Sequence, residues 1–327
     1  MMRKRIALVT GGFTGEAVVS LKSAAVVEKH LDQEKYEVYK IIIEKGCWYY
    51  AGDKGCKVDL NDFSIIVDGQ KITFDGVFNI LHGSPGEDGK LAGYFDMLGL
   101  PYTTCDAMTS SITMNKGYTK AIVQDIEGLS VAKSLHLFKN TPVNTRRVIE
   151  ELKLPYFVKP NNGGSSIGMS KVKEEEEVQE ALDRAFGEDS QVLVEEFVSG
   201  REFSVGIYMV DGEVIVLPAT EIISSKEFFD FEAKYTAGVS EEITPGRMSD
   251  EEVERVRSVA AKVYQKLNCK GAVRMDYFIE HGTGRIFFIE INTVPGQTET
   301  SLISQQVRAI GMEVKDFYTE IIEEMWK

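Results

Sequence analysis

An uninterrupted apolar run near the start of the chain constrains the fold most. Residues 6–9 read Ile-Ala-Leu-Val, and Gly11-Gly12 ends the run. A strand without polar alternation is buried on both faces, which is typical of a parallel sheet covered by helices. The pattern predicts a helix from about Glu16 to Leu31, then strands near Val38–Ile43 and Val77–Leu81, and a short extended piece at Leu100–Thr103. This alternation predicts an open parallel sheet, whose ligands gather at the carboxyl ends of its strands.

From about Met114 onward the sequence pattern differs from the strand–helix alternation of the first third. It predicts a strand at Tyr156–Pro160, a loop of small residues at 161–168, a charged helix over Glu174–Phe186 and a strand at Gln191–Val198. Two hairpins follow, one turning at Asp211-Gly212 and one joining 275–279 to 286–291 through Gly282-Thr283-Gly284. Between them, Ser224–Gly246 is long and has no clean period, so it is either functional or disordered. The last third is therefore predicted to be antiparallel.

Composition narrows the possible partners. The 327 residues suffice for two or three domains. A net charge of −14 argues against sequence-independent nucleic-acid binding, which needs a basic surface. Insertion into a membrane is not expected, because no apolar run approaches the roughly 20 residues that a bilayer requires. The run at 6–9 is too short for a signal peptide, and the four cysteines have no CxxC spacing, so reduced thiols in a cytoplasmic protein are expected.

The second hairpin carries the clearest chemical signal. Residues i and i+2 of a strand share a face, so Arg274 and Asp276 lie together on one strand and Glu290 and Asn292 on its partner. Two carboxylates and an amide oxygen form a hard oxygen site that suits Mg²⁺ carrying nucleotide phosphates. A solvated sheet face with cross-strand ion pairs is the alternative. A site is favoured because the apolar run at 287–289 leads straight into Glu290.

Three further segments leave alternatives open when taken singly. The glycine-rich loop after Lys159 could wrap phosphate oxygens or form a plain hairpin tip, and it has no Walker A spacing. Gly11–Glu16 lacks the GxGxxG spacing, and Glu16 could simply complement a helix dipole. His82 follows a strand in a glycine-rich setting, where it could serve a site or a structural role.

Together and in this order, these segments resemble the D-alanine–D-alanine ligases of the ATP-grasp superfamily. The resemblance spans almost the whole chain. It rests on Gly11–Ser20 with Glu16, Leu81-His82-Gly83 with 86–89, 114–116, 158–168, Glu232–Tyr235, Arg274-Met275-Asp276, and Glu290–Gly296 running to Ser301-Leu302.

The resemblance implies an α/β and α+β ATP-grasp fold. An N-terminal open-sheet domain at 1–113 would precede two domains that clamp ATP, at 114–201 and 202–327, with a lid loop at 224–246. It implies ligation of two D-alanines through a D-alanyl phosphate, with ATP and two Mg²⁺ ions, for which Mn²⁺ could substitute. The dipeptide would serve bacterial peptidoglycan, and hence cell-wall formation and cell shape. A cytoplasmic homodimer is the family's expectation.

The resemblance also assigns roles to residues. The first D-alanine's ammonium would meet Glu16, which would join Ser165 and Tyr235 in closing the site, while Arg274 and the Gly296 N–H would stabilise the oxyanion. The magnesium ligands would be Asp276, Glu290 and Asn292. The nucleotide would contact Lys116, Lys159, Glu195, Glu196, Val198 and Glu202. The remaining substrate contacts would be His82, Ser301 and Leu302, and Lys234 would bind either phosphate or a substrate carboxylate.

Two departures bear on substrate preference. Residues 17–19 are more apolar than expected, and Thr300 replaces a residue that is often more polar or bulky.

The alternatives to this function are another ATP-grasp ligase, including one that uses D-lactate, and a non-catalytic ATP-binding regulator. Tyr235 favours an amine as the second nucleophile, because family members that make D-alanyl-D-lactate differ in this region. A regulator need not keep Glu16, Arg274 and the metal set together.

Overall fold

The apolar first strand lies inside a five-stranded sheet. The computed structural model describes residues 3–142, 145–164, 167–224 and 240–327. Strand β1 (Lys4–Gly11) pairs in parallel with β2 (Tyr36–Glu44) and β7 (Gly76–Asn79). Residues 6–9 are fully buried, as a strand covered on both faces requires. Antiparallel strands β3 (Cys47–Tyr50) and β4 (Asp53–Lys57) extend the edge beyond β2, so the predicted parallel sheet is mixed.

Helices and a small hairpin complete this first part. Val77 also forms a parallel bridge with Tyr102, where the sequence predicts a short extended piece. The elements are α1 (Ala17–His30), β5 (Ile65–Val67), β6 (Gln70–Ile72), α2 (Lys90–Leu98) and α3 (Ala107–Met114). Helix α1 lies where the sequence predicts it. The segments that follow β1 and β7 meet just before it, where the Phe13 N–H donates to the Ser84 carbonyl oxygen at 2.9 Å.

A four-stranded antiparallel sheet forms the middle of the chain. Its strand order is β11-β10-β12-β9. The glycine-rich loop joins the antiparallel neighbours β10 and β11, so it is a hairpin loop. The elements are α4 (Lys116–Val123), β8 (Leu129–Val131), β9 (Ser134–Phe138), α5 (Thr145–Glu151), β10 (Tyr156–Pro160), β11 (Ser170–Val172), α6 (Val178–Glu188) and β12 (Gln191–Glu196). A 3₁₀ turn at Glu175–Glu177 leads into α6, which packs on this sheet.

A seven-stranded sheet forms the last part. Its main order is β16-β15-β13-β17-β18-β8, with β14 paired to β13, and its strands are antiparallel except where β8 runs parallel to β18. The elements are β13 (Gly200–Val210), β14 (Glu213–Val216), β15 (Thr220–Ser224), β16 (Ser240–Ile243), α7 (Asp250–Lys266), β17 (Val273–Glu280), β18 (Ile286–Asn292), α8 (Leu302–Ala309) and α9 (Val314–Glu324). The turn between β13 and β14 has Asp211 at φ 52° and Gly212 at φ 80°, as the sequence signal predicts.

The structure differs from the predicted irregular loop at 224–246 at both of its ends. Ser224 pairs with Ser240 and Glu221 with Ile243, so β15 and β16 form an antiparallel ladder there. Residues 225–239, including Lys234 and Tyr235, lie outside the described residues. In the part of the chain that the structure describes, no helix is both long and apolar enough to cross a membrane. The four cysteines are free thiols, as predicted.

Candidate active site

The polar face of the second hairpin converges as its spacing predicts. Arg274 lies opposite Asn292, and Asp276 lies opposite Glu290, across β17 and β18. The register shifts immediately after Asp276, where the ladder is irregular. This shift ends the paired polar positions and begins the apolar pairs that enter the core. The four side chains therefore form one cluster at the end of two buried strands.

Asp276 is the most enclosed member of this cluster. Its carboxylate accepts hydrogen bonds from Arg274 Nε at 2.9 Å, from Arg274 Nη2 at 2.7 Å and from Asn292 Nδ2 at 3.3 Å. The hydroxyl of Ser204 donates to the same group. Burial alone would lower the pKa of the Arg274 guanidinium, but the charge of Asp276, and then those of Glu290 and Glu87, hold this pKa above its ordinary value. Arg274 therefore stays charged and is fixed by two parallel bonds.

The predicted metal ligands offer a donor set that fits Mg²⁺. Asp276, Glu290 and Asn292 supply hard oxygen atoms from adjacent strands. Among the described residues there is no cluster of three or more His, Cys, Asp and Glu side chains arranged for a metal. The predicted magnesium ligands are two carboxylates and one amide, so they do not count as a cluster of that kind. Bound nucleotide phosphates would complete the coordination of the metal.

Lys116 connects this cluster to the glycine-rich loop. It begins α4, and its Nζ lies 3.4 Å from Glu290 Oε2 and donates to the Gly163 carbonyl oxygen. Asn161 strengthens the connection, because its backbone carbonyl and its side chain accept from the first two backbone N–H groups of α4. A predicted phosphate-binding lysine therefore lies beside a predicted magnesium ligand.

Glu195 and Lys159 meet on the neighbouring four-stranded sheet. The Lys159 Nζ lies 3.2 Å from Glu195 Oε2, and the Lys120 Nζ lies 2.6 Å from the same oxygen. Burial raises the pKa of Glu195, but Lys120 and Lys159 outweigh it, so this pKa lies below its usual value. Lys120 is a residue that the sequence reading missed. Its only signal is that it follows Lys116 by one helical turn.

The other predicted nucleotide residues are not part of the ion pair of Lys159 and Glu195. The side chain of Glu196 points to the opposite face of β12, where its Oε1 accepts from the backbone N–H of Lys153 at 2.9 Å. Val198 lies in the connection from β12 to β13. Glu202 lies on β13, opposite Ile222 and Phe278.

Glu16 lies between two glycines. A Cβ added to Gly83 would lie 2.6 Å from Glu16 Oε2, and one added to Gly164 would lie 2.8 Å from Glu16 Oε1. A side chain at either position would require the Glu16 carboxylate to move. Glu16 therefore reaches from the start of α1 to the glycine-rich loop. Ser165, the predicted partner in that loop, lies outside the described residues.

His82 is buried and engaged through both ring nitrogens. Nδ1 lies 2.7 Å from the Val294 carbonyl oxygen, and Nε2 lies 3.3 Å from the Ser23 hydroxyl. A carbonyl can only accept, so Nδ1 carries the proton and Nε2 accepts from Ser23. Burial lowers the pKa of His82 to about 4, although the bond to Val294 opposes this effect. The ring is neutral, and it joins the loop after β7 to the loop after β18.

Glu87 makes a second connection between the same two loops. Its Oε2 accepts from the Gly83 N–H at 2.6 Å, and its Oε1 accepts from the Val294 N–H at 3.2 Å. Burial raises the pKa of Glu87 to about 8, with Glu16 adding to the increase and the two backbone bonds opposing it. The sequence pattern places Glu87 in the glycine-rich segment 86–89 but indicates no role for it.

Gly296 and Ser301 lie together beyond β18. A Cβ on Gly296 would lie 3.0 Å from the Ser301 hydroxyl oxygen. That oxygen accepts from the Thr298 N–H at 2.9 Å, which fixes Ser301 at the start of α8, immediately before Leu302. The segment is thus a tight turn that holds three predicted substrate residues near one another.

One cleft brings together predicted residues from distant parts of the chain. Glu16, Lys116, Glu290 and Asn292 all line it. The other lining residues are Glu87, Thr113, Met114, Gly163, Gly164, Ile291 and Thr293. A carboxylate suited to an ammonium thus lines the same cleft as a lysine and oxygen ligands suited to a phosphate.

Two family models match consecutive parts of the chain. The one described as "D-ala D-ala ligase N-terminus" matches residues 5–105, and the one described as "D-ala D-ala ligase C-terminus" matches residues 123–323. A D-alanine–D-alanine ligase of Parabacteroides distasonis is 44% identical over 328 residues, covering 100% of this chain and 98% of its own length. That of Flavobacterium johnsoniae is also 44% identical, covering 98% of each chain.

Solved structures agree with these matches. The VanG D-Ala:D-Ser ligase from Enterococcus faecalis superposes with a TM-score of 0.89 at 32% identity, covering 99% of this chain and 100% of its own. The D-alanyl-alanine synthetase A from Vibrio cholerae gives 0.88 at 26% identity and covers 100% of both chains. The predicted ATP-grasp fold is confirmed.

Proposed function

This chain belongs to the D-alanine–D-alanine ligase family, and from that membership we propose that it joins two D-alanines into D-alanyl-D-alanine at the expense of ATP. The first D-alanine's carboxylate takes the γ-phosphoryl group, which gives a D-alanyl phosphate and ADP. The amine of the second D-alanine then attacks the acyl carbon, and phosphate leaves. The dipeptide would serve bacterial peptidoglycan, in a cytoplasmic enzyme that acts as a homodimer.

The observation that carries this proposal is the cleft shared by Glu16, Lys116, Glu290 and Asn292. Its lining residues include groups suited to both substrates of the reaction. Glu16 would hold the first substrate's ammonium, as an opposite charge in an enclosed site does. Lys116 would meet the phosphates, because phosphoryl transfer depends on positioning and charge neutralisation more than on covalent chemistry.

Magnesium would be held by Asp276, Glu290 and Asn292, with two ions expected and Mn²⁺ as a substitute. When bound, the metal neutralises phosphate charge during transfer. Arg274 and the Gly296 N–H would bind the oxygen that becomes negative when the amine attacks. The paired bonds from Arg274 to Asp276 support this role, because they preset the guanidinium before substrate arrives.

The remaining roles come from family membership. Ser165 and Tyr235 would close the site with Glu16, which keeps water from a hydrolysable acyl phosphate. The second D-alanine would be bound by Ser301 and Leu302, and Lys234 would bind either phosphate or a substrate carboxylate. His82 would stand behind the substrates, since both its nitrogens are engaged by protein groups. ATP would be held further by Lys159, Glu195, Glu196, Val198 and Glu202.

A direct assay tests this function. The protein is given ATP, Mg²⁺ and D-alanine, and phosphate release is measured together with product mass. Parallel reactions supply D-lactate or D-serine beside D-alanine. Phosphate release and a D-alanyl-D-alanine mass with D-alanine alone support the proposal. No phosphate with D-alanine alone would reject it, and a mixed product with D-lactate or D-serine in preference would favour the alternative ligases.

A further inference from the structure

Helix α4 presents two lysines to the site from one face. Lys116 and Lys120 are four positions apart in the sequence, so their side chains project from consecutive turns of the helix. Lys116 contacts Glu290 on β18, whereas Lys120 contacts Glu195 on β12. The exposed fraction of Lys120 is only 3%. A buried ammonium group is costly unless it is paired, so the contact with Glu195 offsets the cost of burying Lys120.

Glu195 shares one oxygen between two lysines. Its Oε2 lies 2.6 Å from the Lys120 Nζ and 3.2 Å from the Lys159 Nζ. Glu195 is itself 8% exposed. Without Lys120, the buried carboxylate would have Lys159 as its remaining ion-pair partner within this triad. Moving Lys159 away would then leave a buried charge uncompensated, which is strongly unfavourable.

We propose that Lys120 is a positioning residue of the nucleotide site, which keeps Glu195 paired so that Lys159 is available to the phosphates of ATP. This inference rests on the proposed function, because it assigns Lys159 to nucleotide phosphate. Lys120 itself touches Glu195 and acts through Lys159. A purely structural role, in which Lys120 only fastens α4 to the four-stranded sheet, is the competing explanation.

The test uses Lys120→Met, which keeps the length and packing of the side chain and removes its charge. We expect the Kd for ADP with Mg²⁺, measured by titration calorimetry without D-alanine, to rise about tenfold, because Lys159 is then held by Glu195. The KM for ATP should rise similarly, whereas the KM for D-alanine should not change. The double variant Lys120→Met with Glu195→Gln should bind ADP as tightly as Glu195→Gln alone, since no carboxylate then competes for Lys159.

Lys266→Met is the matched control, because Lys266 pairs with Asp125 just beyond α4 but is partly exposed. It should leave ADP binding unchanged. The inference is overturned if Lys120→Met folds and binds ADP like the wild type, or if the double variant binds ADP more weakly than Glu195→Gln alone. Should Lys120→Met not fold, Lys120→Gln is measured against the same two outcomes. Wild-type protein that binds ADP but makes no dipeptide would reject the proposed function alone.

Discussion

The imidazole Nδ1 of His82 donates to the carbonyl oxygen of Val294 at 2.7 Å, which joins the end of the first sheet to the end of the hairpin that carries the predicted metal ligands. Ser23 completes the connection, since its hydroxyl lies 3.3 Å from Nε2 and its oxygen accepts from the Gln297 N–H at 3.2 Å. The relative placement of the two loops therefore depends on a neutral histidine and a serine.

His82→Ala should destabilise the protein, because it leaves the Val294 carbonyl without this donor. Each buried group that loses its partner costs about 1–3 kcal/mol. Ser23→Ala also leaves His82 Nε2 and the Gln297 N–H without this partner, but it opens a much smaller space, so its effect should be smaller. Denaturant unfolding measures both variants. Equal stability of His82→Ala and the wild type would contradict the assigned bonds.

Gly164→Ala should weaken D-alanine binding. The new methyl group would come within 2.8 Å of Glu16 Oε1, so the carboxylate must shift from its position. Steady-state kinetics should show at least about a tenfold higher KM for D-alanine, equivalent to 1.4 kcal/mol, with little change in the KM for ATP. Gly15→Ala is the control beside Glu16, because a Cβ there has no described atom within 4 Å. Equal D-alanine KM values in both variants would refute the role of Glu16.

Glu87 should make stability depend on pH. Its pKa is about 8 in the folded protein against 4.5 ordinarily, so between these values the folded protein keeps a proton that the unfolded chain has released. This stabilising contribution is fully present below about pH 4.5 and is lost as the pH rises to about 8. Glu87→Gln should therefore flatten the fall in Tm between pH 5 and 8. Glu16→Gln should reduce that fall in part, because Glu16 raises the pKa of Glu87. A slope unchanged by Glu87→Gln would mean that other groups cause it.

Glu290→Ala should abolish turnover without unfolding the protein. It removes a predicted magnesium ligand from the end of a strand whose apolar residues pack without it. We expect kcat to fall at least about a hundredfold while the circular dichroism spectrum stays the same. Removing Mg²⁺ with a chelator should have the same effect on the wild type, and Mn²⁺ should restore it. Activity retained by Glu290→Ala with Mg²⁺ would reject the metal assignment.

Local patterns predicted the elements and the main cluster. Side chains alternate along a strand, so the spacing of Arg274 and Asp276 already fixed their common face, and the hairpin turn brought Asn292 and Glu290 opposite them. The local pattern did not predict the strand pairing at the two ends of the loop at 224–246. Strand β16 is only four residues long, which is too short to show a clear alternation of apolar and polar residues, and it pairs with β15 across the intervening loop.

Contacts between distant segments could not be derived from local patterns. The pairing of β8 with β18, and that of Lys120 with Glu195, depend on how separate sheets pack. A lysine on a helix face ordinarily points to solvent, so nothing in the sequence near Lys120 indicates burial. The role of Glu87 could not be predicted from the sequence either, because its two backbone partners lie in different loops.

The most direct test of the central claim follows the oxygen atoms. D-Alanine labelled with a heavy oxygen isotope in its carboxylate is incubated with the protein, ATP and Mg²⁺, and the released phosphate is analysed by mass spectrometry. If the carboxylate attacks the γ-phosphoryl group, one labelled oxygen must appear in the phosphate for each D-alanyl-D-alanine formed. Dipeptide formed together with unlabelled phosphate would contradict the acyl phosphate route, and the absence of dipeptide would contradict the assigned ligation itself.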